Sequence, residues 1–229
     1  MLKLYFRSFF SSLYWHARLW TSVFWSSPLF LDRYFSLRER STHFNNEVWE
    51  TVFDSVFIAY RYEGDFIQVL HNFKYSGQRH NIQSFSPGLD ALMSECLEQY
   101  KNDDIIVSYV PFGWYQIFTR PYNHSRLLAE YIQHKISKSW RKIPKLKNLL
   151  FKRKITEHQA HLSKDGRILN TRDAFRLAPW VNPRTIEGRT VCLIDDVISS
   201  GSTLQSIAHI FRSYGAQKII VLALASTLV

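Results

Sequence analysis

The chain has 229 residues, a formal net charge of +10, 46% apolar and 21% charged side chains. Those proportions are globular and exclude a disordered or collagen-like chain, and the length suits one α/β domain with a smaller addition. The two cysteines, Cys96 and Cys192, lie far apart with no C-x-x-C spacing, which excludes a disulfide scaffold or a cysteine zinc site and fits a reducing, cytoplasmic setting.

Residues 1–47 form an aromatic, basic N-terminal segment ahead of the main domain, 48–229. Arg7, His16 and Arg18 interrupt its apolar residues, so neither a secretory signal nor a transmembrane segment of about 20 apolar residues is expected. Leu4, Phe9, Phe10, Leu13, Ala17 and Trp20 suggest an amphipathic helix that packs on the protein or a partner subunit, or lies on a membrane surface. Beyond it, Val52–Tyr62 reads as a strand and Phe66–Lys74 as a helix ending at Ser76-Gly77. A helix is expected over Gly88–Tyr100, a buried strand over Asp103–Pro111, and a helix over Leu127–Ile136. Leu149–Ile155 and Ala174–Leu177 read as short strands flanking a polar loop, and Ile219–Ala225 as the last strand. Between Lys135 and Lys154 stand nine basic residues and no acid. Such a run is a solvated face, a nucleic-acid patch or a lid over a polyphosphate, and charge alone does not separate these.

Val191–Thr203, VCLIDDVISSGST, carries the chemistry. Val191–Ile194 is short and apolar enough for a buried parallel strand, with Asp195 and Asp196 at its end. Ser199, Ser200, Gly201, Ser202 and Thr203 lead into a helix through Leu204, Ile207, Ala208, Ile210 and Phe211, stopped by Gly215. Unpaired N–H groups at a helix start favour a phosphate, hydroxyls add donors, and glycine permits close approach. Carboxylates beside a phosphate need another partner, and ribose hydroxyls, with or without magnesium, are suitable. Strands alternating with helices imply a mainly parallel sheet whose ligands lie at the carboxyl ends of its strands.

This string resembles the signature of the type I phosphoribosyltransferases, and three further blocks resemble their ComF-type branch. His71-Asn72-Phe73-Lys74-Tyr75-Ser76-Gly77 is similar to its KY-x-G segment. Val110-Pro111, Arg120-Pro121-Tyr122-Asn123 and Leu127-Leu128-Ala129 follow its VP, RGFN and LA strings. Lys154, Thr156, Gln159, Leu162, Arg167, Asn170 and Phe175 keep its order and spacing. The resemblance covers residues 52–227 and implies a type I phosphoribosyltransferase fold, with helices flanking a twisted sheet. It implies 5-phosphoribosyl-1-pyrophosphate bound with Mg²⁺, the ion held mainly through the ligand, and transfer of phosphoribosyl to a nitrogen nucleophile. It places Asp195 and Asp196 on the ribose hydroxyls and Ile198, Ser199, Ser200, Gly201, Ser202 and Thr203 on the 5-phosphate. Arg120 and Asn123 fall on the pyrophosphate side, Lys154 and Arg167 are catalytic candidates with Asp195 and Asp196, and Gln159 falls with Lys154 and Arg167 in a mobile loop. Thr156 and Asn170 fall in the same loop, as site, turn or capping residues. Three positions depart from the family: Pro121 replaces a glycine, His124 stands where glutamine is usual, and no cysteine precedes Cys96. The family's name refers to natural transformation. The alternative is therefore a non-catalytic protein of DNA uptake, in contact with single-stranded DNA or uptake machinery, with the site as sensor or relic. A homo-oligomer fits either.

Overall fold

The structure, a computed structural model, describes residues 52–75, 79–136, 145–153 and 174–228, all within the unit Glu39–Val229. Seven strands are present among them: β1 (Ser55–Arg61), β2 (Ile105–Tyr109), β3 (Lys145–Leu146), β4 (Leu150–Lys152), β5 (Phe175–Leu177), β6 (Thr190–Ile198) and β7 (Lys218–Ser226). The helices are α1 (Asp65–Tyr75), α2 (Ser86–Tyr100), α3 (Trp114–Thr119), α4 (His124–Ile136) and α5 (Ser202–Ser213). Short 3₁₀ turns cover Arg79–Phe85 and Pro183–Thr185.

Five strands form one sheet in the order β1-β7-β6-β2-β3, and every neighbouring pair is parallel. β4 and β5 pair antiparallel outside it. A parallel sheet must be covered on both faces, which is why β2, β6 and β7 read as nearly unbroken apolar runs. On one face Val191, Leu193, Ile219 and Val221 pack with Leu204, Ile207, Ala208 and Phe211 of α5 and with Leu150 and Phe175 of the hairpin. Each fully buried Leu, Ile or Phe contributes about 1.5–3 kcal/mol, so this core rather than helix propensity holds α5 in place. Cys96 and Cys192 are both buried, and a hydrogen bond between their thiols, with burial, holds the Cys192 thiol well above its usual range.

The type I phosphoribosyltransferase fold expected from the sequence is what this parallel sheet and its flanking helices build. Four elements differ from expectation, among them the two-residue strand β3, which was not anticipated. The motif strand does not stop at Ile194 but runs to Ile198, taking Asp195 and Asp196 into the ladder, because Asp195 pairs with Ala223 and Val197 with Ala225 of β7. α4 starts three residues early, at His124, because the Asn123 carbonyl Oδ1 accepts the Arg126 N–H (3.0 Å) and caps the helix. The short α3 was not anticipated. The residues 154–173 and the N-terminal segment lie outside the described residues, and so do Lys138, Arg141 and Lys142 of the basic run. Within that run Lys135 pairs with Asp90 of α2 (2.9 Å), while Lys152 is half-buried rather than on a solvated face. Among the described residues no helix is long and apolar enough to cross a membrane.

At the amino ends of the strands, acids are consumed internally. Asp54 accepts the Ile219 N–H (2.7 Å) and pairs with Arg212 (2.6 Å), while Asp103 pairs with Lys218 (3.0 Å) and accepts the Thr190 hydroxyl (2.7 Å). The acids at the other end are arranged differently.

Candidate functional site

All carboxyl ends of a parallel sheet point the same way, so the loops after β2 and β6 meet at one edge. The two strands run in register from Ile105–Thr190 to Tyr109–Ile194, and the Val110 N–H donates to the Ile194 carbonyl (3.0 Å). β6, flanked by β2 and β7, is the best-held place on that edge for a pair of carboxylates.

Asp195 is buried. Its Oδ1 accepts two hydrogen bonds, from the Ser125 hydroxyl at the start of α4 (3.1 Å) and from the Asp196 N–H (2.8 Å). Burial first, and the neighbouring Asp196 carboxylate second, push its pKa up to about 8; the two hydrogen bonds and Lys74 oppose the shift without cancelling it. Asp196 is more open. Its Oδ1 accepts the Val197 N–H (2.8 Å), and its Oδ2 meets Lys74 Nζ at 2.8 Å with an Arg120 guanidinium nitrogen at 4.0 Å. With Asp195 holding a proton at neutral pH, two cations face one carboxylate. An acidic pair in the sequence is thus a site with surplus positive charge in the fold.

The loop beyond β6 is short and built of small residues, Ser199-Ser200-Gly201. Gly201 takes φ 72° as the residue before α5, a left-handed conformation that costs glycine little. Gly201 has no side chain to cap the helix, and the Ser202 N–H reaches only the Ser200 hydroxyl, at 3.5 Å. Ser199 and Ser200 are exposed, Ser202 and Thr203 half-exposed, and the Ser200 and Ser202 hydroxyls lie 3.0 Å apart. Ile198 is buried and its carbonyl accepts the Thr227 N–H (3.0 Å), which ties the loop's root to the end of β7.

The other predicted residues divide. Arg120 joins the acidic pair, with its guanidinium 5.8 Å from the Tyr75 ring centroid and 6.0 Å from that of Phe112. Asn123 serves the scaffold instead: its Nδ2 donates to the Val110 carbonyl (3.0 Å) while its Oδ1 caps α4. Pro121, which lacks an N–H, sits exposed between them. Lys154, Thr156, Gln159, Arg167 and Asn170 lie outside the described residues. Three residues of the site were not singled out from sequence. Lys74 had only a motif match, Ser125 had no signal, and His124 counted as a departure.

His124 is fully buried, with Phe73 and Tyr122 ring centroids at 5.0 and 4.9 Å and Phe112 at 6.1 Å. Neither ring nitrogen has a hydrogen bond, and the nearby Lys74 backbone offsets this only weakly. Burial lowers its pKa to about 4, against the pull of Asp196 and with the push of Arg120 and Lys74. The folded state therefore keeps it neutral while the unfolded chain gains a proton below 6.5. Its contribution is intact above that pH and is lost as pH falls toward 4, a change of up to about 3 kcal/mol. His124→Gln is expected to flatten the fall in Tm between pH 6.5 and 4 relative to the parent protein. Equal slopes in the two proteins would contradict the assignment.

Comparison with known proteins agrees with this geometry. A family model described as a phosphoribosyl transferase domain matches residues 151–228. Competence protein F of Haemophilus influenzae is 36% identical over 116 residues, which are 51% of this chain and 48% of that protein. DNA utilization protein YhgH of Salmonella typhi is 31% identical over 125 residues, or 55% of this chain and 50% of that protein. Its namesake in Escherichia coli is 30% identical over the same shares. The chain spans about half the length of the curated relatives it matches. Residues 151–228, which carry the acidic pair and the glycine-led loop after it, are thus similar to a phosphoribosyl transferase domain, and about half of the chain is similar to Competence protein F and the DNA utilization proteins.

Proposed function

We propose that the chain binds 5-phosphoribosyl-1-pyrophosphate with Mg²⁺ and transfers its phosphoribosyl group to a nitrogen nucleophile. In that reaction a bond forms between the nitrogen and the anomeric carbon, pyrophosphate leaves, and the nitrogen gives up a proton. The observation that carries the reading is the surplus of cations around Asp195 and Asp196, which leaves room for an anion beside carboxylates that can hold hydroxyls. The open start of α5 would take the 5-phosphate, the carboxylates the ribose hydroxyls, and Arg120 the pyrophosphate side.

No group of three or more His, Cys, Asp or Glu among the described residues could hold a metal, and both Asp196 oxygens are engaged. Mg²⁺ would arrive with the polyphosphate and supply charge neutralisation of the leaving group. The chain's residues would orient the sugar and stabilise charge, which is most of what such a displacement needs.

A second reading, a DNA-handling role without turnover, is favoured by the names of the matched relatives, a competence protein and a DNA utilization protein, and by the net charge of +10. Calorimetry with 5-phosphoribosyl-1-pyrophosphate and Mg²⁺, followed by an assay of pyrophosphate release against a panel of nitrogen bases, tests the first. Binding with release is expected; absence of binding at millimolar ligand would sink it. Binding without release, together with DNA binding that weakens steeply as salt rises, would favour the second.

A further inference from the structure

Lys74, which meets Asp196 Oδ2 at 2.8 Å, stands one residue before the end of α1. The last carbonyls of a helix have no partner within it, and a helix end left to itself frays. Phe73, the residue before Lys74, has its carbonyl satisfied from far away. The Tyr122 hydroxyl donates to it at 3.0 Å, across 49 positions of sequence. The Phe73 side chain is fully buried, with the Tyr122 ring centroid at 6.3 Å and that of His124 at 5.0 Å.

Tyr122 is itself tied back to the strand of the acidic pair. The next residue, Asn123, donates through Nδ2 to the Val110 carbonyl (3.0 Å), and the Val110 N–H donates to the Ile194 carbonyl (3.0 Å). From Ile194, β6 runs on to Asp196. The contacts therefore close a circuit from β6 through Val110, Asn123, Tyr122, Phe73 and Lys74 back to β6 at Asp196. In that circuit the Tyr122 hydroxyl joins the loop after β2 to the end of α1. Ordering a lysine side chain is entropically costly, so a fixed backbone lets the ammonium wait at the site instead of searching for it.

We propose that Tyr122 is a positioning residue: its hydroxyl fixes the end of α1 and thereby holds the Lys74 ammonium at the acidic pair before an anion arrives. It acts through Lys74, and its value for ligand affinity rests on the phosphoribosyl reading above, but the two can fail separately. Lys218, paired with Asp103 at the amino ends of the strands (3.0 Å), lies outside the circuit and serves as the reference lysine.

Competitive acetylation of the ligand-free full chain, read by peptide mass spectrometry, tests the positioning in the parent protein and in Tyr122→Phe, which keeps the ring and removes the hydroxyl. The Lys74 rate relative to the Lys218 rate is expected to rise about threefold or more in the variant. An unchanged ratio overturns the proposal, and so does a parallel rise at both lysines, which marks general loosening. Affinity for 5-phosphoribosyl-1-pyrophosphate with Mg²⁺ is then measured in the parent protein, Tyr122→Phe, Lys74→Met and the double variant. Tyr122→Phe is expected to cost about threefold to tenfold in the parent background and nothing beside Lys74→Met. An equal loss in both backgrounds, or none in either, overturns action through Lys74. If Lys74→Met binds too weakly to measure, the acetylation ratio decides alone. A parent protein that does not bind the ligand sinks the phosphoribosyl reading, and the same ratio still decides the role of Tyr122.

Discussion

Asp196→Asn is expected to lower affinity for 5-phosphoribosyl-1-pyrophosphate by about a hundredfold or more, since it removes a charged hydrogen-bond acceptor and turns amide hydrogens toward cations. Lys74, 2.8 Å from Oδ2, would face an amide in place of its counterion. The fold should survive, because one amide oxygen still accepts the Val197 N–H and the loss of the Asp196 charge lets Asp195 ionise more readily. Asp195→Asn is expected to weaken binding less, since asparagine is a neutral isostere of the protonated acid, and to leave the opposite mark on stability. In the parent protein Asp195 keeps a proton that the unfolded chain gives up above 3.8, so stability falls as pH rises toward about 8. The asparagine variant lacks that slope and should be the more stable of the two at pH 9 by at least about 2 kcal/mol. Calorimetric titration, with melting curves at pH 6 and pH 9, measures both effects. Full affinity in either variant would remove the acidic pair from the site.

Gly88→Ala should be the most damaging single methyl group in the described part of the chain. The added Cβ would fall 2.4 Å from Tyr60 Cζ and 2.6 Å from its hydroxyl oxygen. Tyr60 has little room to retreat: it is 6% exposed, stacked on Phe66 at 4.9 Å and edge-on to Phe85 at 6.2 Å. Its hydroxyl also accepts the Gly88 N–H (2.9 Å) and donates to the Phe85 carbonyl (3.2 Å), so one phenol anchors the start of α2, where no side chain from the helix end provides a cap. Moving the ring disturbs the stack and both hydrogen bonds, and a loss of about 3 kcal/mol or more follows from overpacking plus unsatisfied groups. Urea unfolding measures it. A shift under about 0.5 kcal/mol would show that the ring moves freely. Gly88→Ala combined with Tyr60→Phe should recover part of the loss if the hydroxyl is the chief obstacle.

How much of this was written in the sequence depends on how local each signal is. The buried strands were legible because a sheet covered on both faces demands unbroken apolar runs, as in IIVSY and KIIVLALAS. The turn from β6 into α5 was legible because small residues, a glycine and a helix start are contiguous. β6 was cut short because two aspartates look like a strand's end, and only the pairing with β7 shows that backbone hydrogen bonding continues past them. α3 was hidden by Pro111 and Gly113, which read as breakers on either side of Phe112; the helix starts directly after that glycine, with the Gly113 N–H held by Gln116 Oε1 (2.7 Å). The partners that reach the acidic pair from distant helices were the hardest to see. Lys74 and Ser125 reach the acidic pair from separate helices, and Ser125 stands 70 positions before its partner Asp195. No spacing rule connects such residues. Lys152 looked like one more member of a basic run, and only its burial against Gly113 and Phe175 distinguishes it.

The order of the sheet has a consequence for how the protein behaves at high concentration. An open sheet has two margins, and an unpaired margin is a template on which another chain can grow. At one side this sheet stops on Lys145–Leu146, two residues with an exposed lysine, which offers too few rungs for strand addition. The other side is β1, seven residues long, paired with β7 on its inner side and with no strand on its outer side among the described residues. If the protein self-associates edge to edge, the vulnerable place is Ser55–Arg61, and a charge or proline engineered on its outward side is the first remedy for aggregation.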